Sequence, residues 1–246
     1  MFVITADQVA SRRQADRAGD MIARLEQRHG DALLLPPDQT AGDEIQLLTA
    51  SAATALGIVL DATRDGRWSV GLGIGGLRTP LPDAARKASG TAFIAAREAV
   101  QAAKRADGRF ALRAASAHLD SAGIEDPADS TLGAAGVEAL VRLLVLLRER
   151  RSEFGWEVVD LAQAGHRQKD IARELAISAA AVSARLKAAA WRAERDAIMP
   201  LERLLAELDA AVGVDTSGAS SAFGASGGDP GGSDPASRPI GDGDSR

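Results

Sequence analysis

The chain of 246 residues contains no cysteine and no tyrosine, and aromatic residues make up only 3% of it. The absence of cysteine excludes disulfides, thiol chemistry and cysteine-ligated zinc, and it fits a reducing compartment. Because aromatic side chains are scarce, the core must be built mainly from Ala, Leu, Val and Ile. We therefore expect a cytoplasmic protein with an aliphatic core.

Metal motifs based on histidine and membrane segments are also missing from the sequence. The three histidines, His29, His118 and His166, are spaced too widely for a recognisable metal motif. The start of the chain, MFVITADQVASRR, lacks the basic leader and long apolar run of a signal peptide. The apolar stretch LVRLLVLL is interrupted by Arg142 and is shorter than the ~18 residues that a spanning helix needs. No membrane partner is expected.

The net charge of −5 is unevenly distributed along the chain. Residues 148–195 carry 10 basic and 7 acidic groups, a balance of +3, whereas residues 196–246 carry 3 basic and 9 acidic groups. A basic segment inside an acidic chain indicates a local anionic partner. From about Gly213 onward, Gly, Ser, Asp and Pro dominate. Such a composition cannot bury enough apolar area to order itself, so residues 213–246 are predicted to be a disordered tail.

The first part of the chain, residues 1–116, alternates strand and helix patterns. Short apolar runs predict strands at 2–6, 32–39, 68–76 and 110–115, with a further strand, EIQLL, following the turn at Ala41-Gly42. Pro36 and Pro37 confine the second strand to a sheet edge or a bulge. Helical patterns cover 12–29, 47–64 and 91–105. The resulting order β-α-β-β-α-β-α-β predicts an α+β sandwich built on a ferredoxin-like βαββαβ arrangement.

Residues 117–152 are predicted to connect this module to the C-terminal part of the chain. They begin with a loop over 117–132 and continue with an amphipathic helix over 134–151. The pattern leaves open whether this helix is a domain connector or a dimer surface.

A helix-turn-helix pattern occupies the next region, within residues 153–212. The stretch QKDIARELAISAAAVSARLK (168–187) predicts two helices with a tight turn between them. Ser178 falls at the position that caps the second helix. The predicted inward-facing side chains are Ile171, Ala172, Leu175, Ile177, Val182 and Leu186. The sequence IARELAISAAAVSARLKAA resembles the helix-turn-helix of sigma-factor region 4 and of response regulators.

Double-stranded DNA is the partner that this pattern predicts. Arg167, Gln168 and Lys169, at the start of the first helix, are placed to contact phosphates. The predicted contact face of the second helix comprises Ser178, Ala179, Ala180, Ser183, Ala184 and Lys187, with Arg185 beside it. It offers no Asn or Gln and no obvious bidentate Arg for a base edge, so a single module should bind weakly and a homodimer would raise the affinity.

Three segments of the first module carry short motifs: ITADQVASRR (4–13), TAGDEIQLL (40–48), and VGLGIGGL with GTAFIAAREA (70–77 and 90–99). They supply a D-x-x-x-S-R start, a G-D-E-[FI]-Q turn and a glycine-rich strand, and together they resemble the SatD family. The resemblance covers about residues 2–105, and some members carry a C-terminal helix-turn-helix as this chain does.

More distantly, the module is similar to class III nucleotide cyclases and GGDEF-type enzymes. That similarity implies that Asp7 and Asp43 bind Mg²⁺ together with a nucleotide. The implied ligand-binding set is Asp7, Ser11, Arg12, Gly42, Asp43, Glu44, Gln46 and Arg97. Arg97 matches the position of a catalytic arginine, but Phe93 replaces the catalytic asparagine and Gln39 the base-selecting lysine. The resemblance therefore implies ligand sensing and not catalysis.

A structural role for the same residues remains an alternative. Asp7 can cap a helix, Asp43 and Glu44 can be turn residues, and Arg97 can form a structural ion pair. Two functions are compatible with the sequence. The first is a DNA-binding transcriptional regulator whose helix-turn-helix is coupled to a ligand-sensing module. The alternative is a nucleotide-binding or nucleotide-processing enzyme with an accessory DNA-binding domain.

Overall fold

The computed structural model describes residues 1–9, 17–40, 42–115 and 132–221, with side chains of the last helix described as far as Val212. These ranges form an α+β protein. The strands are β1 (Phe2–Gln8), β2 (Leu33–Gln39), β3 (Glu44–Thr49), β4 (Trp68–Ile74) and β5 (Phe110–Ala114). The helices are α1 (Ala18–His29), α2 (Ala52–Ala62), α3 (Thr91–Ala103), α4 (Ala134–Glu149), α5 (Glu153–Gln163), α6 (Gln168–Glu174), α7 (Ala179–Ala188) and α8 (Trp191–Ser221).

The five strands form one mixed sheet in the order β2-β3-β1-β4-β5. β1 lies in the middle and pairs antiparallel with β3 and β4, β2 pairs antiparallel with β3, and β5 adds parallel to β4. The predicted succession β-α-β-β-α-β-α-β is confirmed. β2 lies at the edge, as Pro36 and Pro37 predict, because proline cannot donate to a second neighbouring strand.

Both faces of the sheet are covered by helices. Alternate residues of β1, including Phe2 and Ile4, point into a large core that also contains buried side chains of α1, α2, α4 and α8. The intervening Val3 points to the opposite face, where it packs with Ala92 and Phe93 of α3. Successive side chains of β1 therefore alternate between two cores, one on each face of the sheet.

The glycine-rich strand β4 positions α3. Gly71 and Gly73 in the strand, and Gly75 just after it, have no side chain on the α3 side, so that the helix backbone rests directly on this part of the sheet. A Cβ added at Gly71 would lie 2.2 Å from the backbone nitrogen of Val100, and one at Gly73 would lie 2.3 Å from that of Ala96. Only glycine is compatible with so close an approach.

The helix that the sequence leaves open as connector or dimer surface packs against the sheet. One stripe of α4, formed by Val137, Val141 and Leu144, is buried in the large core. Leu201 and Leu205 of α8 are buried in the same core. The α+β module and the helix that follows the helix-turn-helix therefore share one apolar interior.

One predicted boundary is wrong. The helix predicted over 47–64 begins at Ala52, because Leu47 and Leu48 belong to β3 and Ser51 caps the helix by accepting a hydrogen bond from the backbone nitrogen of Thr54 (3.2 Å). Helix α8 is described as far as Ser221, so it overlaps the start of the tail predicted from Gly213.

Some predictions fall on residues that are not described. The helix predicted over 12–29 is described from Ala18 to His29. The predicted loop over 117–132 lies outside the described residues except for Leu132, and so does the tail from residue 222. No helix within residues 1–9, 17–40, 42–115 and 132–221 combines the length and the apolar character that crossing a membrane requires.

Candidate nucleic-acid interface and candidate ligand site

Helices α5, α6 and α7 pack around a small apolar core of their own. Val158, Ile171 and Val182, one from each helix, are fully buried against each other. The partly buried side chains around them are Leu161, Ala162, Ala172, Leu175, Ile177 and Leu186. The inward-facing positions predicted from the helix-turn-helix pattern all belong to this core.

The turn between α6 and α7 is tight and locally closed. The backbone nitrogen of Ile177 donates to the carbonyl of Ala172 (3.0 Å). Ala176 has a φ of +52°, a left-handed conformation that costs a residue with a side chain about 1–2 kcal/mol. Ser178 caps α7 as predicted, because its hydroxyl accepts from the backbone nitrogen of Ala181 (3.1 Å).

The outer face of α7 and the start of α6 are open to solvent. The exposed residues among those predicted to contact DNA are Arg167, Gln168, Lys169, Ser178, Ala179, Ala180, Ser183, Ala184 and Lys187. Arg185 differs because it is half-buried and turns toward α5, where it pairs with Glu157 (3.4 Å) and lies over the ring of Phe154 (4.9 Å). The structure thus gathers nine of the ten predicted residues on an exposed surface.

Three cations on this surface have no ion-pair partner among the described residues: Arg167, Lys169 and Lys187. Arg173 pairs with Asp170 (3.3 Å), yet its side chain is 83% exposed. Exposed ion pairs of this kind contribute little free energy. Arg173 therefore remains available to an incoming anion.

A buried charge cluster, which we call the junction cluster, joins α4 to the start of α8. It consists of Arg148, Arg151 and Glu194, each at most 6% exposed. The Glu194 carboxylate accepts from Arg151 Nη2 (2.6 Å) and from Arg148 Nη1. Arg151 also donates to the carbonyl of Ala189 (2.8 Å), and Arg148 to that of Leu60 in α2 (3.0 Å). The cluster fixes the end of α7 to the α+β module.

Trp156 of α5 adds a second attachment. The guanidinium carbons of Arg64, Arg151 and Arg148 lie 4.1, 4.4 and 5.0 Å from its ring centroid. Arg64, just after α2, also forms two hydrogen bonds to the Asp160 carboxylate (2.8 and 2.6 Å). Stacked and bidentate arginine contacts have a defined geometry, so they hold α5 in one orientation on the module.

The junction cluster is absent from the sequence-based predictions. RERRSE (148–153) has the composition of a charged surface run, and the +3 balance of residues 148–195 points to an external partner. Because Arg148, Arg151 and Glu194 are buried in the junction cluster, the rest of that segment carries eight basic and six acidic groups. A signal is nevertheless present: Arg148 continues the helical stripe of Val137, Val141 and Leu144, so its side chain must enter the core.

The predicted ligand site of the α+β module lies on the α3 side of the sheet. Strand register places Asp7 opposite Glu44 and Thr5 opposite Gln46. The buried Gln46 donates through Nε2 to the Thr5 hydroxyl (3.2 Å). Asp43 follows Gly42, whose φ of +66° forms the turn, so it lies one residue beyond Glu44. The structure therefore brings Asp7, Asp43, Glu44 and Gln46 to one end of the sheet.

Two of the three carboxylates at this end have partners, and Asp43 has no ion-pair partner among the described residues. Asp7 pairs with Lys104, at the end of α3, across 2.8 Å. Glu44 accepts a hydrogen bond from the hydroxyl of Thr40 (2.8 Å). In the described parts of the chain, no group of three or more Asp, Glu or His side chains is arranged to hold a metal ion. Ser11 and Arg12, the other members of the predicted set, lie outside the described residues.

Arg97 lies away from these carboxylates. It is exposed on α3 and lines an open cavity of ≈ 660 Å³ together with Arg78, Gly90 and Phe93. Asp7, Asp43 and Glu44 are not among the lining residues. The predicted ligand set therefore divides into an acidic end of the sheet and an arginine-lined cavity near the start of α3.

Comparison of the chain with protein-family models, with curated proteins and with solved structures found no match.

Proposed function

We propose that this protein binds double-stranded DNA through α6 and α7 and regulates transcription. The observation that carries the proposal is the exposed outer face of α7, held on a closed three-helix core behind a capped, tight turn. Such a helix is the part of a helix-turn-helix that enters the major groove.

The composition of this face supports a particular mode of binding. Ala179, Ala180, Ser183 and Ala184 are small, so the backbone of α7 can approach base edges closely and contact thymine methyl groups. Arg167, Lys169 and Lys187 flank these residues and supply phosphate contacts. Because phosphate contacts dominate in this arrangement, the DNA affinity should depend strongly on salt concentration and only modestly on DNA sequence.

The α+β module is proposed to be a sensing module of the ferredoxin-like and nucleotide-cyclase-like type, as in the SatD family. The order β2-β3-β1-β4, with α1 and α2 on one face, supports the ferredoxin-like assignment. The junction cluster and Trp156 support coupling, because they connect α2 and α4 rigidly to the helices that would contact DNA.

DNA selection with the full-length protein tests the proposal. A random duplex library should yield enriched sequences bound by the wild type. Ala184→Glu places a carboxylate on the outer face of α7 and should abolish enrichment. Ala206→Glu adds the same charge at an exposed position of α8 and should leave enrichment intact. Equal enrichment by both variants, or none by the wild type, contradicts the proposal.

Nucleotide binding is a second candidate function, favoured by the cavity that Arg97 and Arg78 line. Neither arginine has an ion-pair partner among the described residues, and two guanidinium groups suit phosphate oxygens. The Mg²⁺ site proposed at Asp7 and Asp43 lies outside this cavity, so nucleotide binding by the two arginines does not depend on it. Calorimetry with Mg²⁺ and a panel of nucleoside triphosphates should then detect binding that Arg97→Ala weakens and Arg105→Ala does not. Absence of heat with the wild type rejects it.

A homodimer is proposed as the DNA-binding form. Leu140 and Leu143 are 39% and 62% exposed on the side of α4 that faces away from the core. Pairing through these leucines would bury apolar surface and present two helix-turn-helix units. Sedimentation should show a dimer that Leu143→Glu converts to a monomer, whereas a monomeric wild type would contradict the proposal.

A further inference from the structure

A cavity of ≈ 510 Å³ lies between the α+β module and the helix-turn-helix helices. Gly57 and Leu60 of α2 line it on the module side, while Gln163 of α5 and Trp191 of α8 line it on the other. Its volume is within the range of small-molecule sites. Any occupant would contact both regions at once, beside the junction cluster that joins them.

The wall of the cavity is largely apolar. Leu60, Trp191, Ile198 and Met199 contribute hydrophobic side chains. Met199 is 60% exposed and marks the side that opens to solvent. A ligand with an apolar body of modest size therefore suits this wall, and the indole of Trp191 suits a flat ring.

The two carboxylates of the cavity are already satisfied. Asp61 accepts hydrogen bonds from Arg28 (2.7 Å) and contacts Nε2 of His29 (2.9 Å). Burial would raise the pKa of the Asp61 carboxyl, but the hydrogen bonds from His29 and Arg28 and the charge of Arg28 hold that pKa below its usual value. Glu194 is held by Arg148 and Arg151. Neither carboxylate needs a cationic ligand.

The unsatisfied groups are cationic. Arg148 is 5% exposed, lines the cavity, and has an Nε without a hydrogen-bond partner among the described residues. Arg195 also lines the cavity, and its one ion-pair partner among the described residues is the exposed Asp196, at 3.5 Å. A buried donor without an acceptor costs free energy that a hydrogen-bond acceptor would recover. Because both guanidinium groups are positively charged, an acceptor that carries negative charge suits them best.

We propose that this cavity binds a small carboxylic acid with an apolar, preferably aromatic, body. The carboxylate pairs with Arg195 and Arg148, and the body packs on Trp191, Leu60 and Ile198. Occupancy adjusts the position of the helix-turn-helix on the module. That last consequence rests on the proposed DNA binding, whereas ligand binding itself does not.

Calorimetry of the full-length protein with phenylacetate tests the site, with 2-phenylethanol as the uncharged probe of the same shape. Phenylacetate should bind saturably at millimolar concentration or below, and 2-phenylethanol more weakly. Arg195→Gln should weaken phenylacetate by at least about tenfold, the loss expected from removing one charge-assisted hydrogen bond. Phenylacetate should also change the fluorescence of the wild type but not that of Trp191→Phe.

Met199→Glu provides a variant at an exposed position, where misfolding is not expected. It places a carboxylate at the opening and should abolish phenylacetate binding, while Ala206→Glu, with the same charge elsewhere on α8, should bind as the wild type does. Absence of phenylacetate binding to the wild type, equal binding of 2-phenylethanol, or unchanged binding by Met199→Glu overturns the proposal. None of these measurements contains DNA, so a failure of the proposed DNA binding would be detected separately.

Discussion

The exposed face of the helix-turn-helix and the acidic end of the sheet differ in whether their charged side chains have partners. Arg167, Lys169 and Lys187 of the first have no ion-pair partner among the described residues. In the second, Asp7 pairs with Lys104 and Glu44 accepts from Thr40, while Asp43 has no ion-pair partner among the described residues. Free cations on an exposed surface are ready for an anion, whereas a paired carboxylate must first lose its partner before it can bind a metal.

This contrast decides which of two sequence-based predictions has the stronger support. The predicted DNA binding and the predicted ligand binding both rest on a resemblance to a known family pattern. In the helix-turn-helix the three cations Arg167, Lys169 and Lys187 are exposed and unpaired among the described residues, whereas Asp7, one of the two predicted Mg²⁺ ligands, is paired with Lys104. The largest expected effects of substitution lie in neither region but in the junction cluster between them.

Glu194→Gln should lower the free energy of unfolding by about 3–5 kcal/mol, because it leaves the Arg148 and Arg151 charges buried without a counter-charge. Denaturant unfolding of the full-length protein measures this. Glu207→Gln, at an exposed position of the same helix, should stay within about 0.5 kcal/mol of the wild type. If both variants unfold alike, the two regions are not held together by the junction cluster.

Lys104→Ala tests the paired state of the acidic end. It removes the partner of Asp7, whose side chain is 22% exposed, so the loss of stability should be at most about 1 kcal/mol. If pairing with Lys104 is what keeps Asp7 from Mg²⁺, the variant should bind Mg²⁺ more tightly in calorimetry. An unchanged affinity would show that the Lys104–Asp7 pair does not control metal binding. Pairing would then not explain the difference between the acidic end of the sheet and the helix-turn-helix.

Ala176→Gly should produce the smallest effect, a gain of about 0.5 kcal/mol in thermal or denaturant unfolding. Glycine relieves the left-handed strain, roughly 1–2 kcal/mol, but loses about 0.5–1 kcal/mol through its more flexible unfolded state. DNA affinity should not change. A destabilised variant would mean that the turn between α6 and α7 differs from the one described.

Periodicity and turn chemistry make much of the fold predictable. The prolines at 36 and 37 identify an edge strand, and the alternating glycines of β4 mark the face on which α3 rests. The inner positions of the helix-turn-helix are predictable from their spacing. These features are local, so the sequence contains them directly.

Features that depend on tertiary contacts are not predictable in the same way. Leu47 and Leu48 suit a helix or a buried strand equally, and only pairing with β1 decides for the strand. Arg148 and Arg151 look like surface charges until Glu194, more than 40 residues away, supplies their partner. Arg97 and Asp7 belong to one predicted set, yet the sheet and α3 hold them in different places.

The salt dependence of DNA binding tests the central claim most directly. Fluorescence anisotropy with a labelled duplex, over a series of salt concentrations, should give the full-length protein a linear fall of log K against log[salt]. In the variant carrying Arg167→Ala, Lys169→Ala and Lys187→Ala, the slope should become shallower by about 0.9 per lost contact, or roughly 2.7 in all. Arg105→Ala, which removes a cation just after α3, should leave the slope unchanged. A wild-type protein without salt-dependent binding, or a triple variant with the wild-type slope, would contradict the proposed DNA binding.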